Sequence, residues 1–291
     1  MPDSLATVSA EDRGGVLISG SSTGIGRACA LRLDRSGFKV FAGVRNRGDA
    51  EALEAEASER LEPVILDVTD EGTIAASRER IEQETGGRLA GLVNNAGVAM
   101  GGPVEALPLD ALRRQLEVNV TGQVAVTQAM LPMIRAARGR VVFVSSIGGK
   151  VALPYVSPYA ASKHAIEAVG DSLRREMLSF GVKVSIVEPG AVATPIWEKG
   201  GETAEELRAQ ATPEQLDVYG SVLERFERLF VEAGKDGVPP DDVADMIERA
   251  LTAEKPKTRY LVGRDAKLRA AIARFLPDRF LDRQIARRFE G

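Results

Sequence analysis

A single cysteine, Cys29, and a single histidine, His164, are all that the 291 residues hold of either type. One cysteine closes no internal disulfide and builds no cysteine-rich metal site, and it fits a reducing compartment. One histidine excludes any mechanism that needs two and argues against zinc or haem chemistry, so no metal site is expected. The chain also lacks any stretch approaching 18 uninterrupted apolar residues, the length that reads as a transmembrane helix. Its start, MPDSLATVSAEDRGG, is polar and acidic and lacks the basic opening and apolar run of a secretory signal. The expectation is a soluble, cytoplasmic protein with a flexible tail over residues 1–13. Positive charge is not in excess either: the net charge is −4, which argues against a nucleic-acid partner. Repeats and low-complexity linkers are missing, so the chain reads as one domain, long enough to bury a substantial core.

What is there is an alternation. Short runs of Val, Leu, Ile and Phe, bounded by glycine or polar residues, recur as GGVLISG (14–20), FKVFAGV (38–44), EPVILDV (62–68), LAGLVNNAG (89–97), GRVVFVSS (139–146), VKVSIVEPG (182–190) and TRYLVG (258–263). Such runs read as strands buried on both faces. Helical patterns lie between them, at Ile25 to Ser36, Glu71 to Glu84, Leu109 to Ala137 and Tyr159 to Phe180. Strand and helix in alternation predict an α/β fold: one doubly wound, Rossmann-type parallel sheet of seven strands with helices on both faces. The dinucleotide-binding and catalytic domain is expected to span 14–263. Ligands in such sheets lie at the carboxyl ends of the strands.

Two stretches depart from the alternation. A polar, helix-prone insertion at about 195–237 separates the sixth and seventh strands and reads as a lid at the ligand edge, or as a helical pair that only packs. From Lys257 to the end, ten basic residues face four acidic ones. Residues 264–291 are expected to form a basic, amphipathic, helical extension. It could be a subunit contact, a cover over the substrate pocket, a membrane-surface helix, or a pair packed on its own domain with solvated arginines.

SGSSTGIGRA (19–28) follows the first strand. Gly20, Gly24 and Gly26 allow a tight turn and close approach of a ligand. Ile25 opens a helix whose free N–H groups and positive dipole end suit a pyrophosphate. Ser21, Ser22 and Thr23 add hydroxyl donors.

Further along, SPYAASKHA (157–165) places Tyr159 and Lys163 one helical turn apart, on one face. Hydride transfer to a carbonyl leaves an alkoxide that needs a proton, and a tyrosine hydroxyl can supply it. Free tyrosine ionises near pH ~10, and a neighbouring ammonium favours the phenolate. The pair therefore suits general acid–base work. His164 is rotated about 100° from Lys163 around the helix and leaves that face.

The spacing G-x-x-x-G-x-G, with NNAG (94–97) and YAASK (159–163) in this order, resembles the short-chain dehydrogenase/reductase family from about Gly15 to Gly263. The last stretch, RYLVGRDAKLRAAIARFLPDR, is similar to the tails of retinol- and hydroxysteroid-type relatives. The resemblance implies that Ser146, thirteen positions before Tyr159, hydrogen-bonds the substrate oxygen. Its neighbour Ser145 should point to the opposite face. Asn119 is implied to hold a water that links Lys163 to solvent. A mid-helix asparagine is also a poor helix former. Dimers or tetramers are implied as well.

An acidic residue after the second strand of a dinucleotide fold binds the ribose 2′-OH and repels a 2′-phosphate. Here Val44 stands where NAD-selective relatives carry aspartate, and Arg45 follows with Arg47 close by. A guanidinium matches a phosphate, so NADP(H) is the expected cofactor, with NAD as the alternative. Asp67 and Val68 match the adenine contact. Asn95, Ala96 and Gly97 match the middle of the cofactor site, and Pro189, Gly190, Val192 and Thr194 the stretch that cups the nicotinamide. Met100, Val151, Leu153, Tyr155, Ile196 and Trp197 are candidates for an apolar wall, which fits a hydrophobic alcohol or ketone. The expected activity is alcohol–carbonyl oxidoreduction. The alternatives are an NADPH-sensing module without turnover and a nucleotide-sugar epimerase or dehydratase.

Overall fold

The computed structural model describes residues 13–197, 205 and 208–290, so the expected N-terminal tail lies almost wholly outside the described residues, as does part of the 195–237 insertion. Seven strands, β1 (Gly15–Ile18), β2 (Lys39–Val44), β3 (Leu61–Ile65), β4 (Leu89–Asn94), β5 (Arg140–Val144), β6 (Lys183–Pro189) and β7 (Arg259–Val262), form one sheet in the order β3-β2-β1-β4-β5-β6-β7. Every neighbouring pair is parallel. The chain winds outward from β1 to one edge, then returns to β4 and winds to the other. The crevice at that reversal, above the carboxyl ends of β1 and β4, is where ligands of open α/β sheets bind.

Alternate residues of each strand feed two cores. Val16, Ile18 and Val142 pack on one side with Cys29, Ala30 and Leu33 of α1 (Gly24–Arg35) and with Val243 and Ile247 of a later helix, α8 (Pro240–Thr252). Leu17, Leu92 and Phe143 pack on the other side with α3 (Glu71–Thr85), α5 (Gly122–Ala137) and α6 (Ser157–Glu176). Continuous apolar strands are what two covered faces require. A short α2 (Arg47–Glu54), whose N-cap Asn46 accepts from the Asp49 N–H, follows β2 directly. Neither α2 nor α8 belongs to the helical stretches read from the sequence.

The stretch from Leu109 to Ala137, expected as one helix, is α4 (Leu109–Leu116) and α5 joined by a turn of π-helix at Glu117–Thr121. Such wide turns recur at functional sites. Gly122, next in line, presses on β3's exit: a Cβ there would stand 2.7 Å from the Val68 carbonyl oxygen. After β6 comes α7 (Pro213–Lys235), within the expected insertion. The basic end forms α9 (Arg264–Phe275) and α10 (Asp278–Glu290). Among the described residues no helix is long and apolar enough to cross a membrane.

Candidate active site

The crevice is a cavity of about 1090 Å³. Its lining includes the residues expected from the sequence to hold cofactor or substrate oxygen, apart from Ser21, Gly26, Arg47 and Asn119. The glycine loop explains the exception at Gly26. Gly20 and Gly24 have positive φ, at 70° and 55°, a region that favours glycine. A Cβ on Gly26 would lie 2.1 Å from the Gly20 carbonyl oxygen. The third glycine therefore lets the helix start close against the loop and lies off the cavity wall. Ser21 also departs from expectation: it is buried and its hydroxyl donates to the Ile18 carbonyl. Ser22 and Thr23 remain on the cavity wall. Thr23, at the N-cap of α1, caps nothing with its side chain. The first N–H groups of a helix have no intrahelical partner, so this end suits an anion.

The loop is tied to β4's exit by side chains that face inward. Ser19 Oγ accepts from the N–H groups of Asn95 and Ala96, both at 3.0 Å. The Asn95 amide donates back to the carbonyls of Ser19 and Gly20, both at 3.0 Å. Asn95 thus holds the loop in shape besides lining the cavity. Ser19 went unnoticed in the sequence.

Asn119 does not line the cavity. It is fully buried in the π turn, accepts from the Val98 N–H at 2.8 Å, and donates to the Val98 carbonyl at 2.9 Å and to Ser162 Oγ at 3.1 Å. Ser162 in turn donates to the Tyr159 carbonyl at 2.7 Å. Two further amides work beside it. Gln115 accepts from Met100 N–H and donates to the Val98 carbonyl, and Gln123 donates to the Ala96 carbonyl. Amides at 115, 119 and 123 therefore peg the segment 96–100 that floors the cavity. Their regular spacing in the sequence is the signal for this ladder; of the three only Asn119 was expected, through the family resemblance.

Ser146, Tyr159 and Lys163 stand on one wall. Gly148 brings the first two together: a Cβ there would be 3.2 Å from Tyr159 Cε1 and 3.5 Å from Ser146 Oγ. Ser145 reaches the cavity lining too, contrary to the opposite-face expectation. Its hydroxyl is buried toward Gly149, however, and Ser146 is the one that meets Tyr159. Lys163 Nζ donates to the Val144 carbonyl at 2.9 Å and stands 5.6 Å from the centre of the Tyr159 ring. The expected lowering of Tyr159 by Lys163 is not what this arrangement produces. Burial pushes the phenol above its ordinary value, and the hydrogen bond with Ser146 pulls against it. Lys163 spends its contact on a backbone carbonyl, and burial drives its own ammonium down to about 8. His164 is exposed, its Nδ1 2.9 Å from the Ala160 carbonyl oxygen, away from this wall.

Arg45 and Asp67 line the end of the cavity that follows β2 and β3. Burial works to raise Asp67, but its acceptance from the Thr69 N–H and hydroxyl holds it below the usual carboxylate range, and the charge of exposed Arg45 adds to this. Arg47 is exposed and begins α2 outside the cavity lining. Of the apolar candidates, Met100, Ile196 and Trp197 line the cavity, while Val151, Leu153 and Tyr155 do not. Tyr155 packs behind, with Tyr159, Ile196 and Trp197 around Ala99. The Trp197 indole donates to the Val192 carbonyl at 2.6 Å, which pins it to the stretch after β6.

Residues 15–205 match the short chain dehydrogenase family. Mouse retinol dehydrogenase 16 is 41% identical over 276 residues, covering 92% of this chain and 86% of that protein. The NADPH-dependent 3-dehydrocapnine reductase of Ornithobacterium rhinotracheale is 35% identical over 273 residues, covering 92% of this chain and 94% of that one. Among solved structures, a short-chain dehydrogenase from Streptomyces avermitilis superposes with a TM-score of 0.74 at 30% identity, covering 95% of this chain and 96% of the other. The chain belongs to the short-chain dehydrogenase family and is an oxidoreductase that acts on CH–OH groups.

Proposed function

We propose that the protein is an NADP(H)-dependent enzyme that interconverts a hydrophobic primary or secondary alcohol and its carbonyl, with Tyr159 moving the proton. The observation that carries this reading is the meeting of Ser146 and Tyr159 at Gly148, with Lys163 beside them, on one wall of a cavity that begins at an uncapped helix end. Pockets for a single drug-sized ligand run to about 300–1,000 Å³; this cavity of about 1090 Å³ is just past the top of that range, as a site for a dinucleotide with its substrate requires. The loop from Gly20 to Ile25 would take the pyrophosphate, Asp67 and Val68 the adenine, and Pro189, Gly190, Val192 and Thr194 the nicotinamide. When bound, that ring supplies or accepts the hydride.

The chain's own part is positioning and proton transfer. Ser146 holds the substrate oxygen beside the Tyr159 phenol. In reduction the phenol gives its proton to the developing alkoxide; in oxidation the phenolate takes it from the alcohol. A positive charge near the ring favours the phenolate, but in this arrangement the burial of Tyr159 outweighs it. Asn119 fixes the helix that carries both residues, through Ser162. Met100, Ile196 and Trp197 give the substrate end its apolar character.

NADP(H) is favoured by Arg45 at the cavity edge with no acid at Val44. The similar reductase from Ornithobacterium is named NADPH-dependent, which supports the same choice. We read α7 as a lid: Tyr219 Oη donates to Glu105 Oε2 at 2.6 Å, joining α7 to the 3₁₀ turn at Val104–Ala106. A cytoplasmic location is proposed on Cys29, buried and free. A homodimer or homotetramer, and a basic end that packs on its own domain, complete the proposal. The test is a fluorescence-monitored panel of ketones, sterols, retinoids and sugars with NADPH and with NADH. Oxidation of NADPH by an apolar ketone or aldehyde is expected. Turnover confined to sugars, or none with any carbonyl, would defeat the reading.

A further inference from the structure

Tyr159, Lys163, Glu167 and Asp171 follow one another along α6 at intervals of four residues, close to one helical turn. The first two belong to the proposed site. Glu167 has no part in it, yet is only 6% exposed. The turn after β5 seals it. A Cβ on Gly149 would stand 3.1 Å from Glu167 Cγ, 3.1 Å from the Lys163 carbonyl oxygen and 2.9 Å from Ser145 Oγ. The backbone at Gly149 therefore lies directly against the Lys163–Glu167 turn and shuts water out.

Charged groups from three other elements close on this carboxylate. Lys150, after β5, reaches Glu167 Oε2 at 2.8 Å, and Arg259 of β7 reaches the same oxygen at 3.0 Å. Glu188 of β6, 1% exposed, shares both cations, at 3.5 Å from Lys150 and 3.0 Å from Arg259. Asp171 takes Arg259 at 3.1 Å and, toward the surface, Arg174 at 3.4 Å and Arg175 at 3.7 Å. Glu167 Oε1 is buried with no hydrogen-bond partner.

The inner group is not neutral by itself. Glu167, Glu188 and Asp171 face Lys150 and Arg259, so with all five ionised one negative charge is left over. The nearest buried cation on the same helix face is Lys163. Burial drives Lys163 down to about 8, and the charge of Glu167 acts in the opposite direction. Of the two crowded carboxyls on β6 and α6, Glu188 is raised to about 7, by burial first and by repulsion from Glu167 second.

We propose that Glu167 is a positioning residue for Lys163: its sealed carboxylate, one helical turn away, keeps the buried ammonium charged, and the Lys150–Arg259–Glu188 cluster sets how much of that charge Lys163 feels. The proposal rests on the reading of Lys163 as a working member of the site. Loss of the ammonium would remove the charge that favours the Tyr159 phenolate.

The direct test follows the Lys163 ¹³Cε resonance in the cofactor-free protein through a pH titration, the resonance being assigned by its absence in Lys163→Met. The parent midpoint is expected near 8. In Glu167→Gln it should fall by about one unit, the effect of one charge removed from a poorly solvated neighbour. Glu167→Asp, which keeps the charge, should restore most of the shift. Lys150→Met removes a half-exposed cation from the same carboxylate and should move the midpoint upward. With NADPH and a ketone, the alkaline limb of kcat/KM should move with the midpoint. An unmoved midpoint in Glu167→Gln overturns the proposal. If that variant does not fold, a midpoint that fails to rise in Lys150→Met overturns it instead. Lys163→Met separates the two claims. Turnover surviving in that variant defeats the reading of Lys163; turnover lost there, with an unmoved midpoint in Glu167→Gln, defeats only the role of Glu167.

Discussion

Asn119, in the π turn before α5, donates to Ser162 of α6 through a buried 3.1 Å hydrogen bond. Ser162 passes the connection on to the Tyr159 backbone. The asparagine thus ties the floor of the cavity, at Val98, to the helix that carries Tyr159 and Lys163. Asn119→Ala would strip the Val98 N–H of its acceptor, at a cost of about 1–3 kcal/mol. We expect a lower unfolding midpoint and a fall in kcat of about 10-fold or more, as misplacement near the chemistry produces, with cofactor affinity changed much less. Unfolding curves, steady-state kinetics and a cofactor titration on one preparation check this. A loss confined to cofactor affinity would contradict it.

Cofactor choice turns on Arg45. It is exposed at the cavity edge, where a guanidinium can pair with a 2′-phosphate. Arg45→Ala should weaken NADPH by about 10-fold or more, the scale of a charge-assisted contact worth about 1.5–3 kcal/mol, and leave NADH within about twofold. Fluorescence titration of both cofactors decides the matter. Equal losses for the two would reject the assignment.

Lys163 should cost the fold stability. Its folded value is about 8 against an ordinary 10.5. Between those values the folded chain binds fewer protons than the unfolded chain, so the penalty for burying the ammonium is complete below 8 and is relieved as pH rises through the window. Lys163→Met should therefore be the more stable protein by about 3 kcal/mol below the window, less whatever the lost bond to Val144 contributes. The gap should close toward the alkaline side. Denaturant unfolding of parent and variant across this range tests the sign directly. It also gives the site a stability cost that function would explain.

The fold was largely legible because buried parallel strands must be apolar throughout, and each of the seven runs became a strand at nearly its expected place. The Tyr159–Lys163 pair was legible by spacing, and Ser146 only through the family resemblance. What stayed hidden depends on partners distant in the chain. Glu167 meets Arg259 across 92 positions, and Asn95 reaches the glycine loop across 75. The π turn was invisible because a helical pattern does not say where one residue is added to a turn. The direction of the Tyr159 shift was misread because spacing reports a neighbouring ammonium and says nothing of the burial that outweighs it. Ser145 misled for a similar reason: strand alternation ends where the strand does, and β5 ends at Val144.

The central claim is that the Tyr159 hydroxyl moves the proton, and Tyr159→Phe tests it with one oxygen atom removed. Turnover of an apolar ketone with NADPH should fall by about 10²–10⁴-fold or more, the scale of general acid–base catalysis. NADPH affinity, measured by fluorescence on the same sample, should stay within about threefold, well under the tenfold that 1.4 kcal/mol represents. Turnover near the parent's, with cofactor binding intact, would contradict the account.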